Sequence, residues 1–238
     1  MAYIILNNKS SKNVNGLLIQ TLPPISKPKI RTSAEEIDGR DGDIVTTLGY
    51  AAYDKTFSIG LRGDYNVDDI IEYFNTSGKV TFSNEADKYY NFAIYDTIDF
   101  NKLVRFKTAN VTMHVQPFKY SIDEPPITWT NAGGGTISNI SVRNTGNIYS
   151  RPKLTITGSN TITVYLGNKQ IFSIELSTAG ETIIIDAVEM NATDEDGNYL
   201  NRQVTGDYNN FTFNIGVNNL RVTGAMTSIK VENYSRWI

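Results

Sequence analysis

The sequence predicts a mainly-β protein of two domains, the first a β-sandwich or barrel-like sheet with one helix, the second a β-sandwich. Three observations predict it. Apolar and polar residues alternate along much of the chain. Phe57, Ile59 and Leu61 against Thr56, Ser58 and Gly60 show the two-residue period of a half-buried strand. One segment, Val67 to Phe74, carries a helical period instead. Between residues 121 and 135 the stiff run Asp123-Glu124-Pro125-Pro126 is followed by Gly133-Gly134-Gly135, the composition of a join between domains. The expected division is 1–130 and 131–238.

Taken in order, Tyr3 to Leu6 and Gly16 to Leu22 read as short strands. Pro23, Pro24 and Pro28 remove ladder donors and give an extended connector, and Lys29 to Ile37 follows as an edge strand. Asp38-Gly39-Arg40-Asp41-Gly42-Asp43 holds two Asp/Gly turn signals and reads as a charged, projecting loop. The strand through Phe57 comes next. Asn66 is then the helix N-cap, with Asp68 and Asp69 in the first turn. Val67, Ile70, Ile71 and Phe74 form the stripe expected to be buried, and Asn75 to Gly78 stops the helix. Strands resume at Lys79–Ser83, Tyr89–Asp99 and Val104–Thr108. Another alternates through Val111, Met113 and Val115 and runs into Pro117-Phe118-Lys119-Tyr120.

The second half is strand-like almost throughout. Leu154 and Ile156 alternate; Ile162, Val164 and Leu166 lead to the turn Gly167-Asn168, and Ile171 to Leu176 returns. Thr182–Asp186, Phe211-x-Phe213-x-Ile215, Leu220–Val222 and Ser228–Tyr234 complete the set. About eight short strands at this spacing make a β-sandwich or jelly roll.

Composition excludes several function classes. With 22 basic against 25 acidic residues and a net charge of −3, no domain-scale basic surface exists for nucleic acid. There is no cysteine, which removes disulfides, thiolate catalysis and cysteine-based zinc sites. No apolar run approaches a membrane span, and the run Ala2 to Leu6 is too short for a signal peptide core. The expectation is a soluble protein folded in a reducing cytoplasm, with no catalytic, metal or cofactor residues.

Individual motifs read as structural. His114 is the sole histidine and belongs on a polar strand face with Thr112 and Gln116. Asp194-Glu195-Asp196-Gly197-Asn198 resembles a calcium loop only faintly, because Ala192 and Gln203 stand where acidic ligands are needed. The pair Asp41/Asp43 lacks a closing glutamate, and Arg62-Gly63-Asp64 reads as a connector. Asn110 and Asn210 open sequons without meaning in a chain lacking an export signal. Tyr149, Tyr165, Tyr199 and Tyr208 could stack on sugars, but tyrosine is also a good sheet former.

Five features follow one another along the chain: Gly39-Arg40-Asp41-Gly42, then Gly49-Tyr50 and its strand, then Pro117-Phe118-Lys119-Tyr120, then Asn144-Thr145-Gly146 before Arg151-Pro152, then Gly216-x-Asn218 before a strand. The ordered set resembles the distal tail proteins, hub components of long-tailed phages that infect Gram-positive bacteria. The resemblance implies a galectin-like second domain and a structural virion protein, not an enzyme. It implies six copies in a ring through their N-terminal domains. Such a ring joins the tail tube protein above to the tail-associated hub protein below and carries the receptor-binding protein. The contact element expected is the loop Gly39, Arg40, Asp41, Gly42, Asp43. Some relatives insert a carbohydrate-binding module in the second domain, and the strands from Gly135 to Ile238 leave no space for one. Two rivals remain at this stage: a module binding host cell-wall glycans, and a β-sandwich hydrolase.

Overall fold

The computed structural model describes residues 2–130 and 135–238; Gly133 and Gly134 of the expected glycine linker lie outside the described residues. Contacts divide the chain into two units, one reaching Ile122 and one running from Asp123 to Trp237. Both are mainly β.

The first unit comprises β1 (Ile4–Leu6), β2 (Lys9–Ser10), β3 (Leu17–Ile19), β4 (Ile30–Glu36), β5 (Asp43–Tyr50), β6 (Tyr53–Leu61), α1 (Val67–Phe74), β7 (Ser77–Phe82), β8 (Lys88–Ala93), α2 (Phe100–Phe106) and β9 (Thr108–Ser121). Its antiparallel sheet runs β2-β1-β7-β8-β9-β6-β3. Register puts Phe57 opposite Val111 and Ile59 opposite Ala109, so the apolar sides of β6 and β9 share one face. Helix α1 covers that face. Its Phe74 ring lies 6.5 Å from Phe57, and Phe57 lies 6.2 Å from Phe82.

Helix α1 starts as expected, with the Asn66 side chain accepting from the Asp68 N–H at 3.0 Å. Its buried stripe is different from the one expected. Ile70, Tyr73 and Phe74 are buried, whereas Ile71 is 39% exposed. Tyr73 takes the place expected for Ile71 because its ring is apolar and its hydroxyl finds buried carbonyls, donating to Ile4 and Lys9 at 3.2 Å each.

Helix α2 replaces most of the expected strand Val104–Thr108, and the expected strand Tyr89–Asp99 ends at Ala93. The side chain of Asp99 accepts from the Lys102 N–H at 2.8 Å, and Lys107 closes the helix in the left-handed region. Leu103 is buried at its centre. Capping settled a segment whose Val104-x-Phe106-x-Thr108 alternation also suits a strand.

The second unit comprises β10 (Ile127–Thr130), β11 (Ile137–Asn144), β12 (Lys153–Leu166), β13 (Lys169–Asp186), β14 (Asn191–Thr193), β15 (Val204–Gly206) and β16 (Gly216–Glu232). The order is β10-β16-β12-β13-β14, with β11 also along β16 and β15 along β13. Strands expected as separate pieces are continuous: Leu154–Ile156 with Ile162–Leu166, Ile171–Leu176 with Thr182–Asp186, and Leu220–Val222 with Ser228–Tyr234, the last ending at Glu232. Each is interrupted by a bulge, with register shifts at Gly158/Asn160 and Ser159/Ile162. Glycine is required there. A Cβ on Gly158 would meet the Ala225 carbonyl at 2.5 Å, and Gly224, at φ +124°, lies against the Thr161 carbonyl. Residues from both sides of the bulges, such as Ile156 and Ile162 or Val222 and Ile229, share one core. Three long bent strands thus supply both layers of the sandwich.

Phe211-x-Phe213-x-Ile215 is not a strand. A 3₁₀ turn at Tyr208–Asn210, capped by Asp207, precedes it, and Phe213 makes only an isolated bridge with Ser150. Phe211 and Phe213 are buried edge to face at 5.7 Å, whereas Ile215 is 63% exposed. The unit's first residues are tied down by Glu124. Its carboxylate accepts from Asn233 Nδ2 at 2.7 Å and from the Ser235 hydroxyl at 2.6 Å.

Candidate assembly interface

Among the described residues, strands β4 and β5 pair only with each other, from Ile30 opposite Tyr50 to Glu36 opposite Asp43. They form a hairpin arm outside the sheet. Lys29 to Ile37 is therefore a strand as expected, but not an edge of the main sheet. Residues Asp43–Tyr50, not recognised as a strand from the sequence, are its partner; the run of Ile44, Val45, Thr46 and Thr47 was the available signal. At roughly 3.3 Å per residue the arm is about 25 Å long.

The expected contact loop Gly39–Asp43 is the tip of this arm. The Arg40 N–H donates to the Ile37 carbonyl at 3.1 Å, with Gly39 at φ +80° where a type II turn needs it. Glu36, Asp38, Asp41 and Asp43 flank Arg40 in sequence, and all are exposed. Near the root, Thr32 faces Thr47 while Arg31 faces Gly49, so Leu48 is the extra residue of a bulge. The Tyr50 ring meets Phe118 of β9 edge to face at 5.2 Å, and the Ala51 N–H donates to the Lys29 carbonyl at 2.8 Å.

The arm's apolar side chains are uncovered. Val45 is 59% and Leu48 54% exposed, and Ile30, Ile37 and Ile44 are exposed as well. A lone two-stranded hairpin is marginal in water, and this one adds exposed apolar surface to two strand edges. Both features suit a surface that another chain covers.

The other singled-out residues are used locally and lie apart. His114 Nδ1 pairs with Asp54 at 2.8 Å on the polar face, beside the Thr56–Thr112 hydroxyl pair. The Asp194 carboxylate accepts from the N–H groups of Asp196 and Asn198 and from Asn198 Nδ2, which draws its pKa below the ordinary range and closes its own turn. The Arg62 N–H donates to the Gly16 carbonyl, tying the exposed connector Arg62-Gly63-Asp64 to the turn before β3. Asn210 bridges Lys169 and Asp207. Of the four tyrosines, Tyr149 lies under Arg236, Tyr165 under Arg221 and Tyr208 against Phe172, while Tyr199 is exposed. Among the described residues no helix is long and apolar enough to cross a membrane.

No protein-family model matches the chain, and no curated protein matches it in sequence. Among solved structures it is similar to the Dit protein of phage SPP1, described as a paradigm of the hub adsorption apparatus in phages infecting Gram-positive hosts. That likeness covers 98% of this chain and 99% of the other, with a TM-score of 0.66 and 18% identity. It is also similar to a chain of the phage P2 baseplate in its activated conformation with Ca, over 98% and 97%, with a TM-score of 0.50 and 9% identity. The fold is that of the SPP1 Dit protein across both units.

Proposed function

We propose that this chain is a structural component of a phage tail hub, a distal tail protein that closes into a ring of six. The observation that carries the reading is the arm. Its apolar side chains and free edges lack a cover among the described residues, and a neighbouring copy can supply one. An arm on one copy meeting a different patch on the next is a head-to-tail contact, and such contacts close into rings when the rotation permits. The likeness to the SPP1 Dit protein over the whole chain supports this reading. The ring joins the tail tube protein to the tail-associated hub protein and carries the receptor-binding protein, placing the chain in the virion at the tail tip. It is not an enzyme, and it binds neither nucleic acid nor membrane.

Light scattering after size exclusion, with negative-stain microscopy of the same fractions, tests the reading. The expected outcome is a ring whose mass is six times that of the chain. A monodisperse monomer across the micromolar range would sink it.

A further inference from the structure

One lysine sits where the core calls for an apolar residue. Lys55 precedes Phe57 on the apolar face of β6 and is only 2% exposed. Its Nζ lies 4.9 Å from the ring centre of Tyr90, 5.4 Å from Tyr53 and 5.9 Å from Phe82. The charged groups facing it are Glu85 and Lys119, which pair with each other at 2.5 Å, and the Tyr90 hydroxyl donates to Glu85 at 2.7 Å. Burial draws the Lys55 ammonium below the ordinary lysine range; Glu85 opposes the shift and Lys119 adds to it. A methionine would fill similar volume without taking an ammonium out of water. What a methionine cannot do is donate a hydrogen bond, and Lys55 Nζ donates to the Pro24 carbonyl at 2.9 Å.

Pro24 belongs to the connector that launches the arm. Residues 20–29 lie in no strand, yet three of their carbonyls accept from side chains of β6 and of the turn between β7 and β8. Pro23 accepts from Asn84 Nδ2 at 3.4 Å, Pro24 from Lys55, and Ser26 from the Tyr53 hydroxyl at 3.4 Å. The Lys55 bond is the shortest of the three and the only charge-assisted one, a class about twice as strong as neutral bonds. Proline φ is locked, so holding the carbonyl after Pro23-Pro24 sets the direction in which the chain leaves.

We propose that Lys55 is the latch that orients the arm at its root, and so the positioning residue for its contact with the next copy; the second half rests on the ring reading above. The cysteine-free chain allows a direct test in the whole 238-residue chain. Spin labels on Asp41→Cys at the arm tip and Asp68→Cys on α1 report the arm's spread as a distance distribution, measured below the assembling concentration. With Lys55 in place a single narrow distribution is expected. Lys55→Met should broaden it at least twofold while keeping a cooperative melt, and, in unlabelled protein that retains Asp41 and Asp68, should raise the assembly midpoint at least tenfold. An unchanged distribution overturns the latch; a broadened one with unchanged assembly overturns its role in the contact. Should Lys55→Met not fold, the milder pair Asn84→Ala and Tyr53→Phe still decides, because it leaves Lys55 in place. Wild-type width is then expected, and broadening would assign the hold to the neighbours instead. Wild-type protein that never assembles would defeat the ring reading alone, since the distances are read in the monomer.

Discussion

Glu181 shows how a single carboxylate shapes the second unit. It sits where β13 makes a four-residue excursion, between Leu176 opposite Asn160 and Glu181 opposite Gly158. One oxygen accepts from Gln203 Nε2 at 2.9 Å, the other from the N–H groups of Ser177 and Thr178 at 2.7 and 3.1 Å. These bonds, Gln203 foremost, hold the carboxyl below the ordinary glutamate range. Because the folded value is the lower one, the unfolded chain binds the proton first as pH falls. The stabilisation is complete above the ordinary glutamate value of about 4.3 and is lost as pH drops through the folded value. The urea midpoint should therefore fall between about pH 6 and about pH 3, and Glu181→Gln should flatten that fall. An unaltered slope in the variant would show that the bonds do not favour the charged form. In α1 the residue scale has a second test. Ile70→Ala and Phe74→Ala should each cost about 2–5 kcal/mol in denaturant unfolding, while Ile71→Ala should stay within about 1 kcal/mol. Equal losses at Ile70 and Ile71 would mean that the exposed position is covered. Lys55 was itself legible as an oddity, two residues before Phe57 on an apolar face; the carbonyl it serves, 31 residues away, was not.

Among the elements the arm separates local from tertiary information most clearly. Its turn chemistry is local, and Gly39 and Gly42 both adopt the positive φ that the Asp/Gly signals imply. Its isolation is not local, because a strand's sequence does not say which neighbour it pairs with. Since Arg40 and Asp41 are exposed, Arg40→Ala with Asp41→Ala should leave thermal stability within about 0.5 kcal/mol. Val45→Asp should behave likewise, as Val45 is already largely exposed. Both should weaken assembly in light scattering. A large drop in melting temperature with assembly intact would show that the arm folds back on its own unit. The second helix had a signal in Asp99, three residues before the N–H it caps, but that signal competed with an alternating pattern that suits a strand equally.

For the whole molecule, the contacts divide at Ile122, and both β10 and Glu124 are bound into the second unit. A fragment of residues 123–238 should therefore melt cooperatively as a monomer. One of residues 131–238 should be less stable, lacking a strand and the carboxylate that Asn233 and Ser235 bond. Residues 1–122 carry the arm and should retain self-assembly. Circular dichroism and light scattering on the three fragments check this, and self-assembly by 123–238 alone would count against it. By itself the sequence determined the class, because alternation, turn glycines and caps are read from neighbours within a few residues. Only the tertiary structure decided that short apolar runs join into long strands bent at Gly158 and Gly224, that Phe211 and Phe213 fill a core without a ladder, and that β4 and β5 stand away from the sheet. Those outcomes depend on contacts between residues far apart in sequence, where close backbone approach and the burial available to each side chain are set by the rest of the fold.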